Sequence, residues 1–302
     1  MSKKSLQVQS VLYHNEKEGL IRALNALYRA IEIDKNNTEE LSAVTVCYGD
    51  ASKEPIFSDA EIEKLNKDFN NILTLKYTFF NENTGTAKGH NRMGKECQSD
   101  YMMIMNPDVL VCPRFFEYIF IPFNDKSLNA GLSEARQTPV EHPKEYSRTT
   151  FETDWAATAC ALFPTEIYNQ IDGFDEETFF MYCDDLDFSW RIRLLGKKIY
   201  YRPDALVFHA KLLSGSGNWS PTKAEIYYSA EAAILMAYKW SNNKRTKMLL
   251  NNFSQSGDEN LRKAAAHFEE LKASGKLPEQ LDKDHKVAKF VGDNFTEHRF
   301  TL

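Results

Sequence analysis

Several residues of this chain could do chemistry at strand ends. Asn106-Pro107-Asp108 follows the apolar run Tyr101–Met105. A carboxylate emerging from a buried strand can hold a hard divalent cation, which takes one or two protein carboxylates and leaves its other positions to water and phosphate oxygens. Asn-Pro-Asp is equally good turn chemistry. Asp184, Asp185 and Asp187 fall in the first turn of a predicted helix, close to Phe179, Phe180, Tyr182 and Trp190. One acid there would cap free N–H groups and complement the helix dipole. Three acids among aromatics exceed that need, and apolar burial with like-charge neighbours raises a carboxyl pKa, as a general base requires. His209 ends the run Ala205–His209, just before a Gly/Ser-rich segment. Beside Asp108, its imidazole would form a mixed site that tilts from magnesium toward manganese. Gly85 and Gly89, in the run Asn83 to Asn91, allow close approach of backbone to a ligand, with a helix N-terminus behind them. The run is neither G-x-G-x-x-G nor a Walker A loop.

The elements that would position these residues alternate strand and helix. Gln7–Tyr13, Ser42–Tyr48, Leu73–Phe79 and Tyr101–Met105 read as strands. Between them, Leu20, Leu24, Leu27, Tyr28 and Ile31 recur at helical spacing, and Asp34 to Asn37 supplies turn residues that close that helix. Ser58 and Glu61 form a capping-box pattern, and residues 86–98 read as a further helix. Buried strands alternating with helices predict an α/β, Rossmann-like, mostly parallel sheet with flanking helices, whose ligands sit beyond the strands' carboxyl ends. Residues 123–150, polar and carrying prolines at 139 and 143, read as a surface loop or acceptor-side flap. Phe151–Pro164 looks strand-like, a helix spans about Asp184–Leu195 with Gly196 closing it, and two short strands flank Pro203. LLSGSGNWSP at 212–221 is a Gly/Ser-rich loop, and from 222 only helices follow: one around Tyr227–Tyr238, one around Leu261–Leu271 and one opened by Pro278. The expected division is a catalytic domain over 1–221 and a helical extension over 222–302.

Composition sets the outer limits. At 302 residues, one or two domains are expected. Lys plus Arg is 37 against 43 Asp plus Glu, a net charge of −6, which argues against a nucleic-acid partner. No apolar run reaches membrane-spanning length, and MSKKSLQVQS lacks the apolar stretch of a secretory signal. The scattered cysteines, Cys47, Cys97, Cys112, Cys160 and Cys183, form no C-x-x-C pair and read as reduced, mostly buried thiols in a cytoplasmic protein.

Taken in order, the motifs resemble one family. Strand–YHN, strand–GDAS, N-x-G-x-x-x-G-x-N, apolar strand–NPD, FDE-x-x-FFMY-x-DD-x-D and P-x-A-x-V-x-H are similar to those of inverting family 2 glycosyltransferases of the GT-A fold, above all rhamnosyltransferase-like members. The resemblance spans about 7–240 and is most specific over Phe174–Ser214. It implies roles by position. Asp50 would contact the nucleobase of a dTDP- or UDP-linked sugar donor, with Tyr13, Asn15, Asn83, Gly85 and Asn106 around that donor. Asp108 and His209 would hold Mn2+ or Mg2+, and Asp185 would be the catalytic base. Trp155 and Asp184 would face a saccharide or lipid-linked acceptor. The sequence departs from the family at Thr158, where glycine is common, at Ser229-Ala230-Glu231, where Arg-Asn is usual, and at Asp184, where Glu is more usual.

The implied reaction is a single displacement by an acceptor hydroxyl, with Asp185 taking its proton. A nucleotidyltransferase on a similar sheet would need a Gly-rich, basic loop after the first strand, where His14-Asn15-Glu16 stands. A non-catalytic sugar-nucleotide-binding subunit would not need Asp108, Asp185 and His209 together. The C-terminal helices would cover the acceptor site or make a homodimer. In the alternative, Tyr238, Trp240, Lys244, Arg245 and Lys247 would rest peripherally on the inner face of a membrane. Ordinary packing with a solvated basic end is the simpler reading.

Overall fold

The computed structural model describes residues 3–142, 144–209, 222–292 and 294–297. Strands β1 (Lys4–Leu12), β2 (Leu41–Asp50), β3 (Thr74–Phe79), β4 (Tyr101–Met105), β5 (Val109–Val111), β6 (Ala130–Thr138), β7 (Glu152–Thr153), β8 (Cys160–Pro164) and β9 (Lys198–His209) form one sheet of order β3-β2-β1-β4-β8-β6-β9-β5, with β7 on β9. Strands β1, β2, β3, β4, β6 and β9 run one way, while β5, β7 and β8 oppose them. The sheet is therefore mostly parallel. Helices α1 (Lys17–Asn37), α2 (Asp59–Asp68), α3 (Gly85–Gly94), α4 (Phe115–Ile119), α5 (Ile121–Asn124), α6 (Thr165–Gln170) and α7 (Asp184–Leu194) follow the strands. Helices α8 (Lys223–Lys239), α9 (Asn243–Ser254) and α10 (Glu259–Ala273) come last.

Local sequence explains most of these elements. The run Tyr101–Met105 has no polar face, and its last four residues are at most 1% exposed, as a strand covered on both sides requires. Ser58 and Glu61 form the expected capping box at α2. Gly196 takes φ +76 directly after α7, the left-handed position that glycine closes at least cost. Helix α1 runs to Asn37, past the expected close at Asp34, because buried Asp34 accepts from Leu41 N–H and Thr38 Oγ1 and so ties the helix end to β2.

Four expectations are corrected. Residues 123–150 are not a surface flap: 130–138 form β6, inside the sheet between β8 and β9. Its Ser133, Glu134 and Gln137 are at most 3% exposed. The strands around Pro203 are one strand, β9. Its pairing with β6 skips from Arg202 to Leu206, so Pro203, which lacks an N–H, stays out of the ladder. No helix begins at Pro278; there Leu281 N–H bonds Lys239 O, and Asp282 accepts from the N–H groups of Lys286, Val287 and Ala288. A helix unforeseen in the sequence, α9, precedes α10. The 212–221 loop and the 221/222 division lie outside the described residues.

The apolar residues fall into a cluster between the sheet and α1 and α4, another between the sheet, α6 and α7, and one shared by α7 with the C-terminal helices. In the last, Trp190 of α7 meets Trp240 edge-on at 5.1 Å and Phe290 at 5.3 Å. Asp187, wholly buried, anchors the same contact: it accepts from Trp240 Nε1 at 3.0 Å and pairs with Lys239 at 2.6 Å and Arg191 at 2.7 Å. Trp240 and Arg245 are therefore interior residues. Arg245 lies between the Phe290 and Phe295 rings at 5.7 Å from each, so neither residue belongs to a membrane-facing stripe. Among the described residues, no helix is long and apolar enough to cross a membrane.

Removing one partner of a buried charge cluster leaves the others uncompensated. We expect Asp187→Ala to cost about 3–5 kcal/mol, read from the urea midpoint. A cost near zero would show that Asp187 does not hold the C-terminal helices.

Candidate active site

The carboxyl ends of β1, β2 and β4 lie along one sheet edge, where the antiparallel β8 begins. At β4, Asn106 N–H bonds Ala159 O at 2.8 Å, and Val109 N–H bonds Asn106 O at 3.1 Å. Asn106-Pro107-Asp108 is thus a turn, and the turn serves the site. It sends the chain into β5, whose Val109 pairs with His209 of β9. That pairing sets His209 Nε2 3.3 Å from Asp108 Oδ1 and 3.4 Å from Asn106 Nδ2. Residues a hundred positions apart therefore meet.

The remaining acids stand on α7. Tyr182 and Cys183 both take positive φ, 69° and 55°, before the helix starts, a strained entry of the kind that persists where surrounding structure fixes it. Asp184 is buried and accepts from Thr86 Oγ1 at 2.8 Å; its pKa is raised, first by burial. Asp185 is half-buried at the helix N-terminus and accepts from Leu186 N–H at 2.8 Å. Burial and then the neighbouring Asp184 push its pKa up to about 7. Among the described residues no side chain hydrogen-bonds to the Asp185 carboxylate.

A chain of hydrogen bonds links α7 to the Asn106 turn. Ser189 Oγ donates to Asp185 O at 2.8 Å and accepts from Ala156 N–H at 3.1 Å. Ala157 N–H donates to Glu134 Oε1 at 3.0 Å, and Ala159 holds Asn106. Glu134 pairs with buried Lys144, whose ammonium lies 4.2 Å from the centre of the Trp155 ring. Trp155 is 9% exposed, and its Nε1 has no hydrogen-bond partner among the described residues. It packs in the apolar cluster that also holds Leu186 and Trp190 of α7.

The residues expected around the donor end or follow parallel strands: Tyr13 and Asn15 after β1, Asp50 at the end of β2, Asn83 and Gly85 after β3, and Asn106 after β4. Tyr13 is 49% exposed at the rim, and Asn15 folds back to accept from Tyr13 N–H at 2.8 Å. Asp50 is wholly buried; its oxygens accept from Ser52 N–H and Ile56 N–H at 2.9 Å each, and from Tyr77. Its carboxylate thus shapes the 51–57 loop. Asn83 caps Gly85 N–H at 3.3 Å. Gly85 has φ +65, and a Cβ there would lie 2.2 Å from Phe180 O. The close approach that this glycine permits is to the segment before α7, and Thr86 N–H bonds the same carbonyl at 3.0 Å.

Among the described residues, no group of three or more His, Cys, Asp or Glu is placed to hold a metal ion. The pair Asp108–His209 fits a cation that completes its shell with diphosphate oxygens and water. Glu134, Gln137 and Lys144 are supporting residues that sequence reasoning missed. Their only signal was their presence in an otherwise uninterpretable polar stretch.

Comparison with known proteins defines the class. The fold is the GT-A fold. The structure of GalNAc-T7 with UDP, GalNAc and Mn2+ superposes with a TM-score of 0.63 at 11% identity, over 92% of this chain and 56% of that one. The mannosyltransferase PcManGT from Pyrobaculum calidifontis, with GDP-Man and Mn2+, gives 0.58 at 16% identity, over 91% and 76%. S. aureus TarS gives 0.51 at 15% identity, over 88% and 43%. In sequence, the chain is 24% identical to the rhamnosyltransferase WbbL of Escherichia coli (strain K12) over 38% of its own length, and the match spans about half, 53%, of that relative. No protein-family model matches the chain.

The raised pKa of Asp185 has a stability consequence. An unfolded aspartate ionises near 3.8, whereas the folded one holds its proton to about 7. Stability from this group therefore falls as pH rises through that window and is flat above it. We expect Asp185→Asn to raise the thermal midpoint over wild type at pH 8 and to leave it unchanged at pH 4. An equal shift at both values would refute the assignment.

Proposed function

We propose that the chain is a metal-dependent inverting glycosyltransferase. It moves a deoxyhexose, rhamnose in our reading, from a dTDP- or UDP-linked donor to a hydroxyl of a saccharide or lipid-linked saccharide, in the building of surface polysaccharide. The observation that carries this reading is the meeting of Asp108 and His209 at 3.3 Å on the ligand-bearing edge of a GT-A fold. The Mn2+ and nucleotide or nucleotide-sugar ligands named for two structural neighbours support the donor class. The likeness to a rhamnosyltransferase supports the sugar.

Asp108 and His209 would hold the cation. When bound, it offsets charge growing on the departing diphosphate. Asn106 borders this pair, and the rim from Tyr13 to the 51–57 loop receives the nucleoside. Trp155 gives the acceptor ring an apolar face. The acceptor hydroxyl donates its proton to Asp185 as its oxygen attacks the anomeric carbon, a contribution of roughly 10²–10⁴-fold for a placed base. A single base working against a diphosphate leaving group requires no protein acid. Two carboxyls flanking the bond would be the arrangement of a glycosidase.

The direct test incubates the chain with dTDP-, UDP- and GDP-sugars, with and without Mn2+, and follows nucleoside-diphosphate release. Release that depends on Mn2+ is expected; none from any donor would overturn the reading. For the active donor, kcat/KM should rise with pH to a plateau beginning near the Asp185 pKa of about 7. Asp185→Asn should lower transfer at least ~10²-fold while nucleotide binding survives.

A further inference from the structure

Gln137 has no part in the reaction just described, yet it is 3% exposed in the middle of the sheet. Its Oε1 stands 2.8 Å from His209 Nδ1, and His209 is itself buried. The other ring nitrogen, Nε2, faces Asp108 and Asn106. An amide oxygen at Nδ1 accepts the ring proton there and leaves the Nε2 lone pair directed at the Asp108 side. A donor at the same place would reverse the tautomer, and Nε2–H would then point at Asp108 and close the site to a cation. The strand register makes the contact. Pro203, Asp204 and Ala205 drop out of the β6–β9 ladder, and Gln137 then pairs with Val207, two residues before the histidine. Such irregularities re-aim side chains.

We infer that Gln137 is a positioning residue for the cation site, its amide oxygen fixing the tautomer and ring plane of His209 so that Nε2 and Asp108 can take a divalent cation together. This rests on the metal reading given above, and the experiment separates the two. Mn2+ uptake is measured from the electron paramagnetic resonance of the free ion, with Mn2+ alone and with Mn2+ plus inorganic pyrophosphate. The proteins are wild type, His209→Ala, Gln137→Met and Gln137→Glu, each with its thermal midpoint recorded. Gln137→Met should bind Mn2+ about 10–100-fold more weakly. Gln137→Glu keeps an acceptor oxygen at Nδ1 and should bind like wild type. If Gln137→Met matches wild type while His209→Ala is weakened, the inference falls and the metal reading stands. If wild type takes up no Mn2+ under either condition, both fall. Should Gln137→Met fail to fold, Gln137→Glu decides: a loss as large as that of His209→Ala would overturn the positioning role.

Discussion

Three carboxylates in one helical turn repel one another, and burial deepens the penalty. Much of the site follows from how that repulsion is relieved. Asp187 is neutralised by Lys239 and Arg191 and takes the Trp240 indole N–H, which fastens the C-terminal helices to α7. Asp184 is answered by the Thr86 hydroxyl, which fastens α7 to the start of α3. Asp185 receives a backbone amide and little else. Relief of its neighbours leaves it the least satisfied of the three, and an unsatisfied carboxylate is one that takes a proton readily.

Strand β6 supports both halves of the site from behind. Glu134 holds the 155–159 segment through Ala157 N–H and buries Lys144 beside Trp155. Gln137, further along the strand, holds His209. A polar strand buried inside a sheet is costly unless its side chains are paired. Here the pairing joins the 155–159 segment to the Asp108–His209 pair, so the two cannot shift independently.

The sequence disclosed much of this arrangement, and its silences have physical causes. Strand β4 was legible because it is an uninterrupted apolar run, β1 to β3 because they are rich in β-forming residues, and α2 because its capping box is local. Asp108 was legible because it lies in the turn just after an apolar strand, and His209 because it ends one. The segment over 130–138 was opaque because Ser133, Glu134 and Gln137 are polar yet buried. Their partners, Lys144, Ala157 and His209, lie far along the chain, and no local rule anticipates compensation at that range. Gly85 was legible as a point of close approach but not for its partner, since the Phe180 carbonyl comes from a distant segment. The Pro278 reading failed because that stretch spends its backbone N–H groups on Lys239 and Asp282.

Helix α7 has one face in the sheet's core and the other in the core of the last helices, where Trp190 meets Trp240 and Phe290. Composition changes near residue 222, and α7 shares a core with the helices beyond that change. The C-terminal helices are therefore no exchangeable cassette. Recombination between related chains would succeed only if α7 travelled with them, and α7 carries Asp185. In such a lineage, whatever those helices contribute would be inherited together with Asp185, the proposed base.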